Sequence, residues 1–365
     1  MRGIYVADVG DGLCMAIRTI SGDVVQIDCG SQEIKVASNG LKRIFNHFYG
    51  FDVFVLSHFH IDHYGGLLNS SIKFQRYPSF RVREVYYPRI PKFRERRQFL
   101  CKLFAMNMRV FGSETGVMEY DFLRAITRIN RGISFWHQPV SKGDLINING
   151  SIFEIVWPPA VIDDDRTLAD IRRALDDFND ALEKDETTRE LYERVREEGV
   201  FEEYLGQQDE KNGFREYEGE YTHTIVRRKE KRELPEAVKK ANKSLRKAAN
   251  HLGLALFEDN RLLFLGDTEK SEIKQIVDGL KSRTRKDFLI FIPPHHGTHW
   301  HSSLGQMRCI YSIASNGKKL CSKMNPHFKE ISEKSLATFV NGDIIIPGDK
   351  RRGFSLILPR FYEEI

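Results

Sequence analysis

The chain opens with short apolar runs cut by turns. Residues 4–9, 13–19 and 24–27 read as strands separated by Gly10-Asp11-Gly12 and Ser21-Gly22, the pattern of consecutive hairpins. Leu41, Ile44, Phe45 and Phe48 then recur at helical spacing, on one face. The uninterrupted apolar run 53–56 predicts a buried strand, and it leads directly into Ser57-His58-Phe59-His60-Ile61-Asp62-His63. Basic and aromatic residues mix from 77 to 140 around an expected helix at 94–106, and strands at 144–148 and 151–156 precede Trp157. Later, 252–257 and 261–265 predict strands, Ile273, Ile276, Val277 and Leu280 a helix, and 288–292 a strand ending in Pro293-Pro294-His295-His296-Gly297. A helix at 328–339 and strands at 343–346 and 353–358 complete the pattern. Strands alternating with helices after an opening of hairpins predict mixed sheets covered by helices.

One segment breaks this rhythm. Leu168, Ile171, Leu175, Phe178 and Leu182 step by three and four through a highly charged background, and a second amphipathic helix starts at Pro235 with Val238, Ala241, Leu245 and Ala248 on one face. Residues 163–249 therefore read as a helical insertion dividing a core into 1–162 and 250–365. The apolar stripes must be covered. The expected arrangement is a helical hairpin projecting beside the site, so that removing 165–245 should leave a folded core.

With 365 residues, 41% hydrophobic and 29% charged, the chain can bury one large core besides the insertion. Lys and Arg number 56 against 51 Asp and Glu, a net charge of +5 that permits a nucleic-acid partner without demanding one. No apolar run approaches the roughly 18 residues of a membrane helix, and the start lacks the apolar stretch of a secretory signal. Five widely spaced cysteines without a CxxC pair suggest reduced thiols and argue against a four-thiolate zinc site, so the expected location is the cytoplasm, away from membranes.

His58, His60, Asp62 and His63 put three imidazoles and a carboxylate within six residues just past a strand end. A curled loop there can turn His58 and His60 toward one ion and Asp62 and His63 toward another. Imidazole and carboxylate without thiolate suit zinc, and also manganese or iron. Gly-Asp at the end of a strand is commonly a turn or cap; beside this cluster Asp267 reads instead as a bridging carboxylate. Of His295 and His296, whose side chains should diverge as chain neighbours, one is expected to ligate, His296 first and His295 second.

His58-Phe59-His60-Ile61-Asp62-His63 resembles the HxHxDH signature of the metallo-β-lactamase fold superfamily, Asp267 its bridging aspartate and the His296 region its late histidine. Asp8-Val9-Gly10-Asp11-Gly12, Ile27-Asp28-Cys29-Gly30, Leu265-Gly266-Asp267-Thr268 and Pro294-His295-His296-Gly297-Thr298 resemble, more narrowly, the ComEC-like hydrolase domain, over residues 1–160 and 250–358. DNA transport is not expected, since the channel portion has no counterpart here. The resemblance implies an α/β fold, an αββα sandwich of two mixed sheets with outer helices, holding two divalent ions, zinc or manganese. Such a pair lowers the pKa of a water and clamps a phosphate for in-line displacement. The resemblance also makes Asp28 the partner that orients a ligand imidazole. Besides Asp62, it offers His299, His301 and His327 as candidates for catalysis, with Thr298 and Asn250 lining the substrate. Many superfamily members place a third histidine where Trp157 stands here, and tryptophan cannot ligate.

The leading expectation is a metal-dependent phosphodiesterase, above all a nuclease. Arg83, Arg89, Arg94, Arg96 and Arg97 surround Tyr86, Tyr87 and Phe93, so that phosphate contacts from Arg94 and Arg97 and base stacking are expected. The basic runs 227–231 and 239–247 would guide a polyanion. The alternatives are a hydrolase of a lactone, thioester or phosphocholine ester, and an interaction component docking a partner protein through 163–249, as an effector of a bacterial defence system would. His47, His137 and His223 read as structural.

Overall fold

The computed structural model describes residues 1–74, 76–77, 79–115, 119–205, 215–217, 233–281 and 287–347. The expected strand 353–358, the basic run 227–231 and His223 lie outside the described residues. In chain order the elements are β1 (Gly3–Val6), β2 (Cys14–Arg18), β3 (Val24–Cys29), α1 (Ile34–Phe48), β4 (Val53–Val55), α2 (Ile61–Phe74), β5 (Glu84–Pro88), α3 (Arg96–Thr115), α4 (Phe122–Ile129), β6 (Phe135–Val140), β7 (Leu145–Ile148) and β8 (Ser151–Trp157). There follow α5 (Asp165–Lys184), α6 (Glu186–Glu198), α7 (Phe201–Leu205), β9 (Arg215–Tyr217), α8 (Glu236–Asn250), β10 (Ala255–Glu258), β11 (Leu262–Phe264), α9 (Lys270–Lys281), β12 (Asp287–Ile292), β13 (Arg308–Ala314), α10 (Lys318–Cys321), β14 (Ser332–Ala337), α11 (Thr338–Asn341) and β15 (Ile344–Pro347).

Among the described residues the strands form two mixed sheets, ordered β15-β1-β2-β3-β4-β5-β6-β9 and β14-β13-β12-β11-β10-β8-β7. Each has a parallel run, β3 to β6 in the first sheet and β11 to β14 in the second, flanked by antiparallel neighbours, among them β9 beyond β6. Alternation sets the layers. Ile4, Val6, Ile17, Val25 and Ile27 meet Ile155, Leu256, Leu262, Phe264 and Ile290 between the sheets, while Tyr5, Ala16 and Val24 face the helices outside the first sheet. A third cluster, including Leu263, Leu265, Ile273, Ile276 and Phe291, covers the outer face of the second sheet. Strands coated on both faces explain the uninterrupted apolar runs of the sequence, and the αββα sandwich expected from it is met.

Several elements differ from expectation. Phe328, Ile331, Ser335 and Phe339 mimic a helical stripe, yet Ser332–Ala337 pairs in parallel with β13 as an edge strand and Phe339 is left half exposed. β6 and β13 show no strand pattern in the sequence because polar residues such as His137, Gln138 and Ser312 interrupt their apolar alternation.

The helices of 163–249 do not project. Ile171, Leu175 and Phe178 of α5 and Val238, Ala241 and Leu245 of α8 belong to the apolar cluster that includes Phe99 and Phe104 of α3. Lys102 of α3 donates to Leu175 O and to Asn179 Oδ1, and Arg109 pairs with Asp185 at 2.9 Å. Tyr204 of α7 is fully buried against the rings of Phe59, Phe104, Phe122 and Tyr87. The stripe found its cover within the chain, on the helices that coat the first sheet. No helix among the described residues is long and apolar enough to cross a membrane. All five cysteines are free, four of them buried.

Candidate metal centre where the two sheets meet

The loops that carry the expected ligands leave the C-terminal ends of parallel strands: β4 in the first sheet, β11 and β12 in the second. His58 and His60 lie in the loop after β4, and Asp62 and His63 in the first turn of α2. Asn107 of α3 pins this loop by donating to Phe59 O at 2.7 Å. The approach of β3 to α2 is equally tight: a Cβ on Gly30 would fall 1.8 Å from Asp62 O, which only glycine avoids.

His58, His63 and Asp267 offer ligand atoms within 4.8 Å of one another, as do His58, His60 and Asp62, and all are buried. His63 Nε2 lies 3.5 Å and His296 Nε2 3.6 Å from Asp267 Oδ2, and His295 Nε2 lies 4.0 Å from the same oxygen. Both His295 (φ 48°) and His296 (φ 59°) are left-handed, a conformation that costs a non-glycine residue about 1–3 kcal/mol and is concentrated at functional sites. This turn brings both rings to Asp267, whereas an ordinary extended pair would send them apart.

Hydrogen bonds fix the free nitrogens. Asp28 accepts from Ser57 N (2.7 Å), Ser57 Oγ (2.5 Å) and His63 Nδ1 (2.6 Å), which leaves His63 Nε2 facing the centre. His296 Nδ1 donates to Ser315 O at 2.9 Å, and His295 Nδ1 to Thr298 Oγ1 at 2.7 Å. The Nε2 atoms of His60 and His63 are buried without a hydrogen-bond partner. Orphaned imidazole nitrogens beside carboxylates are costly unless a cation takes their lone pairs, so the donor set fits divalent metal.

Burial, followed by repulsion from His63, holds the His58 pKa well below its ordinary value, as burial does for His60 and His295. For Asp267 burial pushes the pKa upward, but His296, His63 and His295 overcome it and hold the carboxylate well below its usual range. Asp62 behaves alike, with Arg246 and then His60 overcoming burial. Neutral imidazoles and ionised carboxylates are the forms that bind metal; His63 shifts the other way, because burial is outweighed by Asp28 and Asp267, which hold its pKa well above the ordinary value.

Other expected site residues are spread more widely. His299 stacks on His295 with ring centroids 4.2 Å apart and donates to Thr268 O. His301 accepts from Ser303 N, and His327 pairs with Glu330 and lies on Trp300. Asn250 donates to Glu269 at 3.1 Å. Arg97 pairs with Glu202 and lies over Phe201, while Arg94 is exposed in the segment between β5 and α3. Trp157 Nε1 donates to His251 O at 2.8 Å, so this ring ties β8 to the end of α8. Sequence reasoning missed Ser57, the second partner of Asp28, and the individual role of Arg246, whose Nη2 donates to Asp62 Oδ2 at 2.6 Å. The signature itself pointed to Ser57, its immediate neighbour; Arg246 was merged into a basic helix face.

No protein-family model matches the sequence, and no curated protein matches it. Solved structures that match include a subclass B3 metallo-beta-lactamase, MEM-A1, isolated from a soil metagenome library, at 15% identity over 43% of this chain and 50% of that one, with a TM-score of 0.24. A beta-lactamase domain protein from Burkholderia ambifaria matches at 17% identity over 40% of each chain, with a TM-score of 0.24. The chain thus spans half of the first and two fifths of the second.

Proposed function

We propose that the protein is a divalent-metal-dependent hydrolase of the metallo-β-lactamase fold whose substrate is a phosphodiester, in the first place nucleic acid. The observation that carries this reading is the convergence of His58, His60, Asp62, His63, Asp267, His295 and His296 from both sheets, with the Nε2 atoms of His63, His295 and His296 turned toward Asp267. His58, His60 and Asp62 would hold one ion and His58, His63 and Asp267, with His296 beside Asp267, another, zinc or manganese. Ions bound there supply an acidified water and Lewis-acid polarisation of the substrate. Asp28 and Ser315 keep the protons of His63 and His296 on Nδ1. His58, His60, Asp62, His63 and Asp267 are all buried, which strengthens the charge interactions among them. His299, against His295 and one fifth exposed, is the best placed of the three candidate acids to reach a leaving group.

The ComEC-like pattern favours phosphodiesters over neutral esters, and the free cysteines support a reducing, cytoplasmic setting. The partner-docking reading loses its motive, because α8 and α3 already cover the α5 stripe. Metal analysis of the purified protein, with hydrolysis of oligonucleotides, a lactone and a thioester under added Zn or Mn, tests the assignment. The expected result is metal uptake and cleavage of the oligonucleotide, both abolished by Asp267→Ala. Cleavage of the lactone or thioester alone would overturn the phosphodiester reading.

A further inference from the structure

Three of the lysines of α8 are paired within the helical layer. Lys239 pairs with Glu233 and Glu236 around the start of its own helix, while Lys240 and Lys247 pair with Asp177 and Asp170 of α5, each at 2.8 Å. These contacts hold the helices together. Arg246 points the other way, to Asp62 in the candidate metal centre, 184 residues distant in sequence.

We propose that Arg246 is a substrate-binding residue whose guanidinium takes a non-bridging oxygen of the substrate's phosphate at the mouth of the centre; this rests on the hydrolase reading above. Asp62 offers Oδ1 to His60 and Oδ2 to Arg246. Once Asp62 ligates a divalent ion, that ion and the guanidinium compete for one carboxylate and repel each other. Arg246 then has a planar, permanently charged fork with no other described carboxylate partner, and such a fork matches a phosphate bidentately. Its position suits the exchange. The Arg246 side chain is 32% exposed, against 5% for Asp62, so it stands between solvent and the ligands. A helix outside the two sheets thereby contributes a cation to a site otherwise built from sheet loops.

The test measures binding of inorganic phosphate to the metal-loaded protein by calorimetry, with metal content determined on the same samples. Arg246→Ala should retain wild-type metal content and bind phosphate about tenfold to a hundredfold more weakly, with Arg246→Lys recovering part of the loss. With bis(4-nitrophenyl) phosphate as substrate, KM should rise by more than kcat falls. Metal-loaded Arg246→Ala that binds phosphate as wild type does would overturn this proposal alone, as would a loss confined to metal content, which would make Arg246 a positioning residue for Asp62. Wild-type protein that takes up no divalent metal would overturn the hydrolase reading and this proposal together.

Discussion

Asp28 is buried, and three donors converge on its carboxylate: the backbone and hydroxyl of Ser57 and the ring of His63. It sets which nitrogen of His63 is free, so Asp28→Ala should weaken metal binding about 10–100-fold with the fold retained, as competition against a chelator would measure. Wild-type affinity in that variant would remove His63 from the ligand set. Gly30 acts by having no side chain. Because its absent Cβ would sit against Asp62 O, Gly30→Ala must push the start of α2 outward, carrying Asp62 and His63 with it. Metal affinity should fall there even though no ligand is altered, while Gly143→Ala, at an open turn with φ of 95°, should affect stability only.

Between elements, His251 at the end of α8 donates to Glu272 of α9 (2.9 Å) and to Asp170 of α5 (3.1 Å). Burial pulls the His251 pKa down, but Glu272 and Asp170 outweigh it and the net shift is upward. A raised folded-state value stabilises fully below about pH 6.5, the unfolded value, and the benefit disappears as pH rises past the folded one. For the carboxylates burial again opposes the shift, yet Lys247 and His251 hold Asp170, and His251 holds Glu272, below their ordinary values, so their share is lost as pH falls toward 4 and below. His251→Ala leaves two carboxylates facing each other and should cost about 3 kcal/mol at pH 6. The gap from wild type should narrow at pH 9, as urea titrations at both pH values would reveal; an equal gap would mean that the imidazole carries no charge there. Such cross-element ties were invisible in the sequence, where His251 had only Asn250 as a local clue. The candidate ligands stand out in the sequence because four of them lie within six residues at strand ends that periodicity locates. β14 does not, since an edge strand with Glu333 and Lys334 exposed lacks the apolar signal that a covered strand carries. The divergence expected of His295 and His296 failed because their left-handed backbone is set by tertiary contacts.

At the scale of the molecule, α5 to α8 are part of one apolar layer with α3 and α4, which reverses the expectation for removal of 165–245. That deletion would strip the cover from Phe59, Phe99 and Phe104, and should yield aggregated or non-cooperatively folding protein. A milder probe is Tyr204→Ala, which empties a site among four aromatic rings and should cost about 3–5 kcal/mol, read as a lower denaturation midpoint. An intact core after deletion would restore the insertion to the status of an appendage. The candidate ligands, for their part, are shared between the sheets: His58 to His63 follow β4, while Asp267 and His296 follow strands about two hundred residues later. Their full constellation cannot exist before the sheets have docked, so the metal's grip is an interaction gained late on the folding route. Bound ions should therefore leave the refolding rate nearly unchanged and slow unfolding instead, making the metal a determinant of how long the native state survives rather than of how fast it forms.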